Sequence, residues 1–167
     1  RFVYSLARLP GGLVAAGTDR GLLLLLEALL PLGPTAPLAQ LAPRSSVACL
    51  LPLPDGGLAA GTHNGTLLFG PEALRPGGRP NATLALGSAT WALLLLASGE
   101  LLAGTDGGDG ALFFSREAWT PGGRPTAALA GGFIVWSLAT LDDGAVAVGT
   151  SEGVRLYDLG GKSGAPP

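Results

Sequence analysis

This 167-residue chain predicts an all-β repeat protein, built from four-stranded antiparallel sheets laid side by side. Three observations carry that expectation. A Gly-Thr pair recurs at Gly17-Thr18, Gly61-Thr62, Gly104-Thr105 and Gly149-Thr150, at spacings of 44, 43 and 45 residues, and self-similarity at a fixed period of this length marks stacked supersecondary units. An apolar run closed by a Gly-containing turn precedes each pair. A second turn and a further apolar run follow it.

The first runs cover residues 3–9, 47–53, 90–96 and 135–141, and end at Pro10-Gly11-Gly12, Pro54-Asp55-Gly56-Gly57, Ala97-Ser98-Gly99 and Asp142-Asp143-Gly144. The second turns are Asp19-Arg20-Gly21, His63-Asn64-Gly65, residues 106–110, and Ser151-Glu152-Gly153. Third runs follow, as in Thr66-Leu67-Leu68-Phe69 and Val154-Arg155-Leu156-Tyr157. Short runs separated by tight Asx/Gly turns make an antiparallel meander. The linking segments 35–41, 81–87 and 126–130 supply a fourth, outer strand. Four short antiparallel strands per period describe a β-propeller blade. The repeats fall at about 1–34, 35–79, 80–124 and 125–159, followed by a flexible Gly/Pro tail at 160–167.

The chain resembles the WD-repeat (Trp-Asp) propellers, most clearly from Ala128-Leu129-Ala130-Gly131-Gly132 through Ser137-Leu138-Ala139, Asp143-Gly144 and Val154-Arg155-Leu156-Tyr157-Asp158-Leu159. It departs from that pattern at two places. The family's Gly-His pair is replaced by Ala42-Pro43, Gly87-Ser88 and Gly131-Gly132, and its Trp-Asp pair survives only as Tyr157-Asp158, with Leu25, Phe69 and Phe114 in the other repeats. The family's usual His–Trp hydrogen-bond network therefore cannot form. The Asp-Gly, Gly-Thr and Gly-Leu rhythm is also similar to the sensor propellers of bacterial two-component regulators. The WD-repeat resemblance implies a non-catalytic protein–protein interaction scaffold; the second implies a ligand-sensing module of a larger signalling receptor.

Composition bounds the functional classes. The chain is 47% hydrophobic and 13% charged, with a mean hydropathy of +0.43. Two readings explain this: blades stack face to face and so cover both faces of each sheet, or part of the surface mates with a partner or with further blades. A net charge of −2 and few aromatic residues argue against nucleic acid. The longest apolar stretch, residues 21–33, is broken by Glu27 and Pro31, short of the roughly 20 residues of a membrane span. With no Met in the chain, a fragment or processed product is expected, and without a readable targeting signal a cytoplasmic location. The one cysteine, Cys49, excludes an internal disulfide and is expected as a small buried hydrophobe on an inner strand.

The first repeat has no outer strand before it, the last has none after it, and the tail is too rich in Gly and Pro to serve as one. Four blades of a larger ring, or a half-ring completed by a second copy, are therefore expected in place of a self-closed four-bladed barrel.

Two groups of residues are candidate binding elements. Glu72-Ala73-Leu74-Arg75-Pro76-Gly77-Gly78-Arg79-Pro80 matches Glu117-Ala118-Trp119-Thr120-Pro121-Gly122-Gly123-Arg124-Pro125. These loops place Arg79 and Arg124 equivalently, with Arg75, Arg116 and Lys162 nearby, as a cationic contact for an acidic peptide or phosphate or as a solvated rim offset by Glu72 and Glu117. The aromatics Tyr4, Trp91 and Trp136 share one repeat position, with Ala48 in the second copy. They either pack between blades or face a partner.

Catalytic chemistry is sparsely equipped. His63 is the only histidine, sits in a tight turn and has no nucleophile at meaningful spacing. Asp106 and Asp109 are two carboxylates where Ca²⁺ takes six to eight oxygens. No catalytic residue, metal or cofactor is assigned, and a propeller hydrolase or lyase is the least favoured reading.

Overall fold

The runs become strands where the turn spacing places them. The computed structural model describes residues 2–28, 36–42, 45–84 and 86–159. The inner strands are β1 (Val3–Leu9), β5 (Val47–Pro52), β9 (Thr90–Leu95) and β13 (Val135–Thr140). The second strands are β2 (Leu13–Thr18), β6 (Leu58–Thr62), β10 (Leu101–Thr105) and β14 (Val146–Thr150). The third are β3 (Gly21–Leu26), β7 (Gly65–Phe69), β11 (Ala111–Phe114) and β15 (Gly153–Tyr157). Short outer strands β4 (Ala39–Leu41), β8 (Ala82–Leu84) and β12 (Ala127–Leu129) lie within the three linking segments.

These strands form the antiparallel sheets β1-β2-β3-β4, β5-β6-β7-β8, β9-β10-β11-β12 and β13-β14-β15, called blades 1 to 4. Each outer strand pairs with the third strand that precedes it. A blade is thus offset by one strand from the sequence period, and among the described residues the last blade has three strands. Inner strands pack in the order β1, β5, β9, β13, so they lie nearest the axis of the array. No helix among the described residues is long and apolar enough to cross a membrane.

Each half of the recurrent Gly-Thr pair has its own physical role. The Thr hydroxyl donates across the second turn, from Thr18 to Gly21 O, Thr62 to Gly65 O and Thr150 to Gly153 O at 2.8 Å, and from Thr105 to Gly110 O at 2.9 Å. The Gly lets the next blade approach. A Cβ on Gly61 would lie 2.7 Å from Thr90 O, and one on Gly104 would lie 2.6 Å from Val135 Cγ1.

Aspartates at the next position clamp the turn to the start of the inner strand. Asp19 Oδ1 accepts the Phe2 N–H at 3.1 Å and Asp106 Oδ1 accepts the Ala89 N–H at 2.9 Å. The Asp106 carboxylate, a candidate ion ligand by sequence, is therefore engaged in holding strand β9.

Three hydrophobic clusters lie between successive blades. Leu22, Leu24 and Val47 join blades 1 and 2; Leu68, Leu84 and Phe114 join blades 2 and 3; Leu102, Phe113, Val135 and Val148 join blades 3 and 4. The reading in which stacked blades cover both faces of each sheet holds for the interior of the array. Interior sheets are apolar on both faces because both are covered, whereas Leu6, Val154 and Leu156 at the two ends of the array stay exposed.

Candidate functional site

Every inner strand carries an irregularity at one place. Pairing with the second strand shifts between Val3 and Ser5, Val47 and Cys49, Thr90 and Ala92, and Val135 and Ser137. The residues skipped are Tyr4, Ala48, Trp91 and Trp136. A bulge leaves one residue unpaired and re-aims its side chain, and here it turns the recurrent aromatics out of the ladder. Tyr4 and Trp136 are about half exposed, and Trp91 is partly buried.

The aromatics of neighbouring blades meet. The Trp91 and Trp136 rings are 5.4 Å apart and tilted by 57°. His63, from the turn between β6 and β7, stands edge-on to Trp91 at 5.5 Å. Such pairs add about 0.5–1.5 kcal/mol beyond burial. The Trp91 indole N–H is buried and meets no acceptor among the described residues. The sequence marks His63 only as a turn residue. Its partnership with Trp91 crosses from blade 2 to blade 3, and no local sequence signal points to it.

The arginine loops lie elsewhere. They leave the C-terminal ends of β7 and β11, whereas the bulges sit beside the N-terminal ends of those strands through the meander pairing. A strand of four or five residues rises about 15 Å, so Trp91 and Trp136 occupy one end of the blades and Arg75, Arg79, Arg116 and Arg124 the other. One site cannot contain both groups.

The carboxylates expected to offset these arginines also hydrogen-bond elsewhere. Glu72 Oε1 accepts from Asn81 Nδ2 at 2.7 Å, and this bond, its own backbone N–H and the Arg75 charge hold its pKa below the ordinary value. Glu117 is likewise held low, by its own backbone N–H and then the Ser115 hydroxyl. Arg116 pairs with Asp55 of blade 2 at 3.8 Å and lies 5.2 Å from the Trp119 ring centre. It also lines a cleft whose other charged residues are Glu100, Asp142, Asp143 and Asp158. Arg75, Arg79 and Arg124 are exposed, and Arg79 and Arg124 make no ion pair among the described residues. Lys162 lies outside the described residues.

Cys49 is half-buried, less enclosed than expected, with its Sγ 3.7 Å from Thr90 O. Desolvation pushes the thiol pKa from 9.0 up to about 12, against a lowering contact with the Gly61 backbone. The thiolate is the reactive form. Alkylation of native protein at pH 8 is therefore expected to be on the order of a thousandfold slower than that of unfolded chain. Mass spectrometry with iodoacetamide reads this out. Because the folded pKa is raised, the neutral thiol's contribution to stability is complete below pH 9.0 and is lost as pH climbs towards about 12.

Known structures share this arrangement of blades. The WD40 β-propeller domain of Doa1 superposes with a TM-score of 0.69 at 16% identity, over 93% of this chain. The chain is a β-propeller in fold. The extracellular domain of a proposed one-component system from B. thetaiotaomicron aligns with a TM-score of 0.66 at 21% identity over 93% of the chain. That of a proposed hybrid two-component system from the same organism aligns at 0.69 and 16% over 99%. This propeller chain spans 50% of the Doa1 chain and 21% and 20% of the two extracellular domains. The sequence matches no protein-family model, and no curated protein matches it closely enough to be counted.

Proposed function

We propose that this propeller is a non-catalytic interaction module whose aromatic end receives a protein or peptide segment. The observation that carries the reading is the bulge repeated in all four inner strands, which presents Tyr4, Trp91 and Trp136 at one end of the blades. Large rings on rigid strands give contact area at little entropic cost, and tryptophans dominate binding hot spots. The only histidine packs edge-on against Trp91, a role that favours binding over acid–base work. Loops and rims carry recognition on such a scaffold and the blades supply stiffness.

A second reading, a ligand-sensing module of a larger receptor, is favoured by the likeness to the two extracellular domains. The first reading goes with a cytoplasmic chain, the second with an extracellular one. An acidic partner belongs to the opposite end, at Arg79 and Arg124.

A peptide-display selection against the 167-residue chain tests the first reading. Peptides recovered should bind Trp136→Ala about thirtyfold more weakly while its melting temperature stays within a few degrees of the parent. Binding unchanged in Trp136→Ala and lost in the Arg79→Ala/Arg124→Ala double variant moves recognition to the other end, and the aromatic reading fails.

A further inference from the structure

The contact that joins one blade to the next repeats three times, and each time it has the same two halves. The first half is the residue opposite the recurrent Thr at the start of the inner strand: Val47, Thr90 and Val135 pair with Thr62, Thr105 and Thr150. All three are fully buried. The second half is the Gly of the preceding blade. A Cβ on Gly17 would meet Val47 O at 2.8 Å, one on Gly61 would meet Thr90 O at 2.7 Å, and one on Gly104 would meet Val135 Cγ1 at 2.6 Å. A β-branched residue thus seats on a bare glycine.

Among the described residues one copy of each half is unmatched. Val3 pairs with Thr18 as Val47 does with Thr62, yet it is 55% exposed. Gly149 precedes Thr150 as the other glycines precede theirs, yet the three nearest atoms that a Cβ there would meet all belong to Ser137 of its own strand pair. The flanking residues repeat the mismatch. Leu6, equivalent to Leu50, Leu93 and Leu138 that pack against the preceding blade, is 69% exposed. Val154 and Leu156, at 73% and 66% exposure, occupy the positions of Ala111 and Phe113 in blade 3, which are buried.

We propose that the front of blade 1 docks on the rear of blade 4 of a second copy, Val3 seating on Gly149. The knob and the socket are the ones this sequence already uses three times, so the surface is complementary to another copy by the same chemistry. Because the contact is head-to-tail, it closes only when the rotations sum to a full turn. Two copies of four blades give eight, within the usual range of about four to eight. The joint also continues the aromatic row, placing Tyr4 of the second copy next to Trp136. This inference does not rest on what that row binds.

Light scattering of the 167-residue chain across a concentration series tests it. The expected mass is twice the 16.6 kDa of the chain. Val3→Asp and Leu156→Asp, both at exposed positions, are each expected to give a monomer with the parent's circular dichroism and the melting temperature of the parent diluted to monomer. Mixed in equal amounts they regain the doubled mass, because one rear face and one front face remain intact. Gly149→Ala is expected to weaken pairing at least tenfold without unfolding the chain. A monomeric parent at about 100 μM, either charged variant still dimeric, or a mixture that stays monomeric overturns the proposal. Higher polymers in place of a dimer overturn the eight-bladed ring.

Discussion

Replacing Phe113 by alanine is expected to lower the unfolding free energy by about 3–5 kcal/mol, the usual cost of deleting a buried phenylalanine. Its ring is nearly fully buried among Leu102, Val135 and Val146, so the void falls in the joint between blades 3 and 4. Leu156 stands at the same strand position in blade 4 and is exposed. Leu156→Ala should therefore cost less than about 1 kcal/mol in dilute monomer, where no second copy covers it. Urea unfolding of the two variants compares them directly. Because a repeat array gains stability from nearest-neighbour joints, Phe113→Ala should also speed amide exchange in β13 and β14 before it affects β2 and β6. Equal losses for Phe113→Ala and Leu156→Ala would show that blade 4 does not depend on that joint.

The second large effect is expected from adding one methyl group. Gly61→Ala puts a Cβ against the Thr90 carbonyl at 2.7 Å and its methyl at 3.0 Å, with Cys49 Sγ on the other side. The carbonyl belongs to a paired strand and cannot move aside alone. Overpacking of this kind costs about 1–3 kcal/mol, and the melting temperature should drop by several degrees. Gly131 is the control. It has an ordinary backbone angle, and a Cβ added there would meet no atom within 4 Å, so Gly131→Ala should be neutral within about 0.5 kcal/mol. Thermal unfolding by circular dichroism reads both. A neutral Gly61→Ala would mean that close approach of the next blade is not why glycine recurs before each threonine.

Most of the architecture was legible because turns are local chemistry. Gly56, Gly99 and Gly144 close the first hairpins at positive φ, and Gly21, Gly65, Gly110 and Gly153 do the same in the second. At such positions glycine avoids the strain of a side chain, so the sequence shows the turns and hence the lengths of the runs between them. The Thr-to-Gly bonds span three to five residues and leave the same imprint at every period.

The outer strands are shorter than their segments suggest. Residues 35–41, 81–87 and 126–130 are expected to be strand throughout, and the described pairing is limited to Ala39–Leu41, Ala82–Leu84 and Ala127–Leu129. The chain must turn at once towards the next blade. Ala42 and Ala130, just past β4 and β12, take φ of 47° and 52°, and their carbonyls pass close to Gly21 and Gly110.

By itself, then, the sequence determined the period, the hairpins, the strand count per unit and the propeller class, because these depend on residues within one repeat. Even a leucine run such as Leu22–Leu26, which favours helix on propensity alone, is held to strand by turns too closely spaced for a helix. Only the tertiary structure decided which end of the blades each candidate occupies. The bulges at Tyr4, Ala48, Trp91 and Trp136 depend on pairing with a second strand, and the packing of His63, Trp91 and Trp136 depends on contacts among three blades. The separation of the arginines from the tryptophans follows from strand direction in the assembled meander. These side-chain contacts leave no spacing of their own in the sequence, because the residues that meet lie in different repeats; the glycine before each threonine is the one mark of the blade joint that recurs with the period.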